Sequence, residues 1–405
     1  MNTSIPTLLL KLAPELLPHG ELGAIRTLGR VGVGVYAVHD ATDAPAAYSR
    51  YAAGGFVWNG STRATADVLR FLRDTARQIG CRSVLIPQDD ASNHIVDAAA
   101  DTLREWFIFP EQPRGLVRTL SNKREMNLLC QRLGVATAST VFPENEHELE
   151  EFLAHASFPI VLKGAEPWVP ELRGRSRIVI ARSRKAALAA YRAMSEPERA
   201  NLMLQEYIPG EPQSIWMFNG YFDRESKCLF GSTGRKLRQA PPYTGPTSLG
   251  VCVQNDQVAA ITTSLMKDVG YRGILDIGFC YDVRDGQYKL LDVNPRLGAS
   301  FRLFVDPANG LDVVRALYLD MTGQPVPTVR HGDGRKWLVE PWDLRSSIRY
   351  HRDGVLTVRR WLGSFRGVQE AAWFAKDDPL PFVNVSLRLA RGAIRRRVRS
   401  DARGR

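Results

Sequence analysis

Tyr288-Lys-Leu-Leu-Asp292-Val-Asn294-Pro-Arg296 places a carboxylate and an amide two residues apart, with an arginine two further on. Side chains alternate along a strand, so positions 292, 294 and 296 share one face. Asp and Asn oxygens are ligands that Mg²⁺ takes when one or two carboxylates and substrate phosphates complete its shell. Upstream, Tyr271-Arg-Gly-Ile-Leu-Asp276-Ile-Gly-Phe reads as the partner strand, with Asp282-Val-Arg-Asp285-Gly286 as the hairpin connection. Two strands that each offer an acid form a metal clamp. Acid–amide pairs also occur on solvent-facing hairpins, so the rest of the chain must decide.

Working outward, Phe158-Pro-Ile-Val-Leu-Lys163-Gly164 reads as a buried strand ending in lysine. A helix is expected over Thr119–Leu133, beginning Ser121-Asn-Lys123-Arg-Glu and stopped by Gly134, followed by a strand over Thr137–Phe142. Another helix is expected over Glu144–Ala154. The segment 166–177 is a loop with three arginines, and Leu202–Ile208 is a strand closing on Pro209-Gly210-Glu211. Strands over 213–255 are expected to be interrupted by Gly231-Ser-Thr-Gly-Arg235-Lys236-Leu-Arg238 and then by Pro241-Pro-Tyr-Thr-Gly245, and a helix over 255–269 leads into the hairpin. The first 115 residues alternate instead: strands at Thr7–Leu10, Gly34–Val38 and Ser83–Pro87, helices at Leu22–Leu28, Ala64–Ile79 and Ser92–Phe107. That alternation predicts a parallel α/β sheet. Glycines 29, 32 and 34 follow a helix and do not open one, which rejects a dinucleotide fingerprint.

The chain has 405 residues, enough for two or three domains with their own cores. Hydrophobic content of 44% and charged content of 24% are ordinary for a globular protein. No apolar run approaches the length of a membrane span, and the N-terminus reads as a first strand, not a leader. Five scattered cysteines suit reduced thiols in a cytoplasm, without a disulfide framework or zinc site. The net charge of +11 is uneven: seven arginines and one aspartate from Arg391 onward give +6, so the body is only mildly basic. There is no H-E-x-x-H, P-loop or G-x-S-x-G, and the seven histidines show no metal spacing.

Two lysines, a basic loop, a strand-and-turn hinge, a second basic run and the acid–amide pair occur here in an order that resembles the ATP-grasp superfamily of carboxylate–amine ligases. The resemblance covers roughly residues 1–320. It implies a Rossmann-like pre-ATP-grasp α/β domain over 1–115 and a grasp domain over 116–320, with lobes near 116–200 and 201–320. A C-terminal extension occupies 321–405. It also implies ATP with Mg²⁺ (or Mn²⁺), and an amide bond formed through an acyl phosphate. Lys123 and Lys163 match the lysines placed against the nucleotide phosphates. Gln205, Glu206, Tyr207 and Ile208 resemble the adenine hinge, with Glu211 on the ribose. Asp292 and Asn294 match the magnesium ligands, followed by Arg296. Arg235, Lys236 and Arg302 are assigned to a substrate carboxylate or the transferred phosphate. Two departures stand out. The superfamily more often has Glu where Asp292 stands, and the position of its other metal-binding acid falls on Gly278; Asp276, two residues earlier on the same face, is the expected substitute.

Val383, Leu387, Ala390, Ile394 and Val398 recur at three- and four-residue steps with arginines between them. This is the pattern of a basic amphipathic helix on an anionic membrane, or of a helix packed on the body. A surface-seeking tail would suit a lipid-linked acceptor, as the D-aspartate ligase-like members suggest. Nucleic acid is not expected, since no aromatic interleaving accompanies the basic residues. Many members of the superfamily are dimers, so the resemblance allows a homodimer, but the sequence does not set the oligomeric state. Other readings left open are a non-amine acceptor and a catalytically silent nucleotide-binding scaffold.

Overall fold

The computed structural model describes residues 1–13, 19–62, 64–165, 178–194, 202–210 and 214–403, with side chains described to residue 392. Three sheets organise it. The first is parallel, with strands β1 (Thr7–Leu10), β2 (Val35–His39), β3 (Ala52–Val57), β4 (Ser83–Pro87) and β5 (Phe107–Ile108) in the order β3-β2-β1-β4-β5. β1 is the unbroken run Thr-Leu-Leu-Leu, buried on both faces as a central parallel strand requires. Helix Thr65–Ile79 covers one side through Val68, Leu72 and Thr75, and ends at Gly80, whose φ of 84° closes the C-cap.

The second sheet, β6 (Thr140–Val141), β7 (Ile160–Gly164), β8 (Val179–Ala181) and β9 (Leu202–Glu206), has the order β6-β9-β7-β8. Ile160, Leu162, Leu202 and Leu204 pack one face against helices Glu146–His155 and Arg184–Met194. Alternation therefore turns Lys163 and Gln205 to the other face. The third sheet contains β10 (Ile215–Phe222), β11 (Cys228–Gln239), β12 (Thr247–Cys252), β13 (Gly273–Asp282), β14 (Gln287–Asn294), β15 (Lys336–Leu338) and β16 (Val368–Ala371). Its order is β14-β13-β10-β11-β12-β15-β16.

Several expected elements differ. The helix expected over 119–133 is two, Leu116–Ser121 and Lys123–Arg132, because the Asn122 side chain accepts from the N–H groups of Arg124 and Glu125 and starts a new helix. The helix expected over 92–107 ends early: Asp90–Ala98 and Ala100–Leu103 precede β5 at Phe107. β3, whose Ala-Ala-Gly-Gly core has no apolar run, was not expected. Residues beyond 320 supply β15 and β16, and Trp337 and Trp373 join one core with Leu22, Ile25, Phe301 and Leu303.

Buried ion pairs staple this C-terminal segment to the helix that follows β1. Arg26 donates from Nε to Asp378 at 2.9 Å and from Nη2 to the carbonyls of Trp373 and Asp378, both at 2.8 Å. Ser49 donates to the same carboxylate at 2.7 Å. Both charged side chains are at most 4% exposed. Asp378→Ala therefore strands a buried guanidinium and is expected to cost about 3–5 kcal/mol. The check is an earlier first transition in denaturant melts followed by tryptophan fluorescence.

Candidate active site

β13 and β14 pair Asp276 with Asn294 and Gly278 with Asp292. Directly opposed residues share a face, so Asp276, Asp292 and Asn294 emerge together. Asn294 Nδ2 donates to Asp276 at 3.3 Å, leaving its oxygen to face Arg296 Nη2 at 3.4 Å. Arg296 in turn donates from Nε to Asp90 at 2.7 Å. Gly298 is required here, because a Cβ would lie 2.5 Å from the Asp276 carboxyl carbon. At Gly278 a Cβ would meet nothing within 4 Å. The position of the absent acid is thus open space bordered by two carboxylates and an amide, which fits a hard cation sharing its shell with phosphate oxygens and water.

The two carboxylates are driven apart. Burial pushes Asp276 above the usual carboxylate range, against Arg296 and Lys236. Burial acts the same way on Asp292, but Lys123 and Lys163 outweigh it and hold that acid below its ordinary value. Lys123, at the first turn of its helix, bonds directly to Asp292. Lys163 is pushed down to about 8, chiefly by burial, with repulsion from Lys123 adding to it and Asp292 opposing. Lys236 is also lowered by burial, against Asp276 and Asp292, and its Nζ donates to the Gly245 carbonyl at 3.3 Å. Three lysines thus face one acid pair.

A β-bulge between Gly278 and Phe279 adds an extra residue, Leu291, to β14. Bulges re-aim side chains. Leu290 joins the interior beside Phe279, while Leu291 joins Ala138, Ile208, Ile215 and Cys280 in a small apolar cluster. The cluster lies at the end of β9, where the expected hinge begins. It can receive the face of a planar heterocycle while hinge backbone groups meet its edge.

The hinge residues are placed differently from one another. Gln205 donates to Thr140 Oγ1 at 2.9 Å across strands, and the Tyr207 N–H donates to the Pro159 carbonyl at 3.3 Å. Glu206 is held within the protein: its carboxylate accepts from the Ser139 N–H at 3.1 Å, Arg284 at 3.0 Å and Lys289 at 3.4 Å. Glu211 and the 166–177 loop lie outside the described residues.

Two arginines are not brought to the cleft. Arg235 pairs in register with Trp216, on the sheet face opposite Lys236, and its guanidinium sits 5.2 Å from that ring's centroid. Adjacent strand residues cannot both face one cleft. Arg302 lies in a buried network with Asp312 at 2.5 Å, Glu370 at 2.8 Å and Thr27 at 3.1 Å. Both depart from the expected contact with substrate.

Tertiary assembly adds a wall that local patterns did not reveal. A cavity of about 540 Å³ runs from Lys236, Asp276, Asp292 and Arg296 to the region of the parallel β1–β5 sheet. There it is lined by His19, Gly20 and Glu21, and by Gln88, Asp89 and Asp90. These follow β1 and β4, the neighbours at which the parallel sheet reverses order, where open α/β sheets bind ligands. Asp89 is structural: it accepts from the N–H groups of Leu12 and Ala13, both at 2.8 Å, and caps helix Asp90–Ala98. Glu21 is buried, with Oε1 2.8 Å from His39 Nδ1.

No protein-family model matches the chain. In sequence it is 25% identical over 261 residues to the D-aspartate ligase of Enterococcus faecium, a match covering 61% of each protein. In structure it is similar to the L-amino acid ligase of Bacillus licheniformis, with TM-score 0.60 and 14% identity over 83% of this chain and 79% of that one. The biotin carboxylase domain of Hydrogenobacter thermophilus 2-oxoglutarate carboxylase, solved with MgADP and bicarbonate, gives TM-score 0.60 and 15% identity over 80% and 72%. The N5-carboxyaminoimidazole synthetase of Staphylococcus aureus, solved with ADP, gives 0.61 and 11% over 81% and 80%. These likenesses show the ATP-grasp fold.

Proposed function

We propose that the chain is an ATP-dependent carboxylate–amine ligase forming an amide bond through an acyl phosphate. The observation that carries this reading is the convergence of Asp276, Asp292, Asn294 and Lys236 at one end of the cavity, with Lys123 and Lys163 meeting the same Asp292. The similar proteins solved with ADP, and with MgADP, support the nucleotide. The apolar cluster at Ile208 and Leu291 takes adenine, edged by backbone groups of residues 205–208, and the lysines hold the phosphates. Asp276, Asp292 and Asn294 would hold Mg²⁺, which neutralises phosphate charge when bound. Lys163 and Lys123 stabilise the charge of the γ-phosphoryl group as it moves.

A carboxylate is a poor acyl donor because its leaving group would be oxide. Attack of the carboxylate oxygen on the γ-phosphorus breaks the bond to ADP and leaves an acyl phosphate. The amine nitrogen then attacks the acyl carbon, phosphate departs with the electron pair of the broken C–O bond, and the amine releases a proton. Arg296 and Lys236 orient the carboxylate, Arg296 being fixed by Asp90. Walls at the ends of β1 and β4 and from β13 and β14 border the intermediate on two sides, which limits its contact with water.

The five cysteines are free thiols, which suits a reducing compartment such as the cytoplasm. Among the described residues no helix is long and apolar enough to cross a membrane. Helix Leu380–Arg403 leaves Val383 and Leu387 about half exposed, which supports the proposal that this basic segment touches an anionic membrane. A homodimer is the expected assembly, as in the carboxylase domain.

The test is ADP and phosphate release with MgATP against a matrix of amino acids and dipeptides. Release that requires one carboxylate and one amine together is expected. Tight ATP binding with no release from any pair, lipid-linked precursors included, would favour a silent scaffold.

A further inference from the structure

Two helices, Glu340–Arg352 and Val358–Ser364, flank an apolar groove of about 220 Å³ lined by Leu344, Ile348, Leu356, Val358 and Trp361. Leu344, Ile348, Val358 and Leu362 are 54%, 50%, 56% and 59% exposed, and Val355 between the helices is 51% exposed. Single surface leucines need no explanation, but a contiguous set marks a binding surface. The groove is rigidly supported. Trp361 Nε1 donates to Asp343 at 3.0 Å, and Arg238 grips the same carboxylate from Nε and Nη2 at 2.7 and 2.9 Å. Arg238 lies on β11, two residues beyond Lys236 of the cavity.

The surroundings are basic. Arg352 lines the groove, and Arg345, Arg349, Arg359 and Arg360 on the same two helices are exposed. Of the acids between residues 340 and 364, only Asp353 is exposed, and it is paired with Arg349 at 3.0 Å and bonded by the Tyr243 hydroxyl at 3.0 Å. Pairing with a second copy across a two-fold axis would set these arginines against their own equivalents, which like-charge repulsion opposes. An apolar strip bordered by arginines instead matches an anionic bilayer surface. The aliphatic residues enter the headgroup–acyl boundary, and each guanidinium meets a phosphate while its stem stays on the apolar strip.

We propose that this groove docks the chain on an anionic bilayer, separately from the basic C-terminal helix. Because Trp361, Asp343 and Arg238 tie the groove to β11, docking holds the cavity at a fixed height above the lipid. The full chain is tested by co-sedimentation with vesicles of phosphatidylcholine alone and with added phosphatidylglycerol. Binding is expected only to the anionic vesicles. Ile348→Glu with Val358→Glu should weaken it at least about tenfold, and Arg352→Gln or Arg359→Gln about fivefold each. These side chains are exposed, so unchanged melting temperatures certify the folds. Wild-type affinity in the double variant would assign all binding to the C-terminal helix and overturn the proposal. Failure to bind anionic vesicles would overturn it too, including the case in which an acidic protein binds the groove instead.

Discussion

Asp292→Asn is expected to reduce carboxylate-dependent ADP release about 10³-fold, roughly 4 kcal/mol of transition-state stabilisation. The substitution keeps the shape and removes one charge, and two consequences follow. The cation site beside Asp276 and Asn294 loses its more acidic ligand, the one Lys123 and Lys163 hold below the ordinary carboxylate range. The two lysines also lose the anion that compensates them, so their mutual repulsion is no longer offset. Affinity for metal-free ATP should persist or rise, because the removed group is a negative charge facing a polyanion. Near-normal release by Asp292→Asn would remove the acid pair from the chemistry.

The second large effect is at Lys163. Lys163→Ala is expected to lower kcat/KM by about 10²–10³, as for loss of one preorganised donor to a transferring group. Its titration gives a sharper test. A lysine held at about 8 is charged below that pH and neutral above it. An ATP analogue that needs the charge therefore binds the free enzyme more weakly as pH rises through 8, by up to about tenfold per unit. Lys163→Arg keeps the charge throughout and should flatten this dependence. Equilibrium binding of the analogue without metal is the measurement; the same fall in wild type and in Lys163→Arg would assign it to another group.

Much of the site was legible because it is local. Asp292 and Asn294 lie two apart on one strand, so alternation puts them on one face, and the register that sets Asp276 opposite Asn294 brings the third residue to it. Lys163 ends a strand whose apolar run is unmistakable. The neighbours Arg235 and Lys236 show the limit: one must face the cleft and the other the opposite side, and their identities do not set the phase of the strand. Its pairing does, since Lys236 stands opposite Gly250 and Arg235 opposite Trp216. Arg302 was out of reach for a different reason. Of its partners, Asp312 lies ten residues on, but Thr27 and Glu370 come from distant segments that meet it only in the folded chain. The same holds for the cavity wall at Glu21 and Asp90, built by two strand ends adjacent in the sheet but far apart in sequence. The break at Asn122 was readable, since an Asn three residues before Glu125 is a capping signal.

The most direct test of an acyl phosphate is the fate of the carboxylate oxygen. The carboxylate substrate found in the matrix screen is labelled with oxygen-18 and turned over with MgATP and the amine, and the phosphate released is analysed by mass. Attack of the carboxylate on the γ-phosphorus predicts one labelled oxygen in each phosphate formed. Unlabelled phosphate at the same turnover would mean that water cleaves ATP without activating the carboxylate, which contradicts the ligase reading.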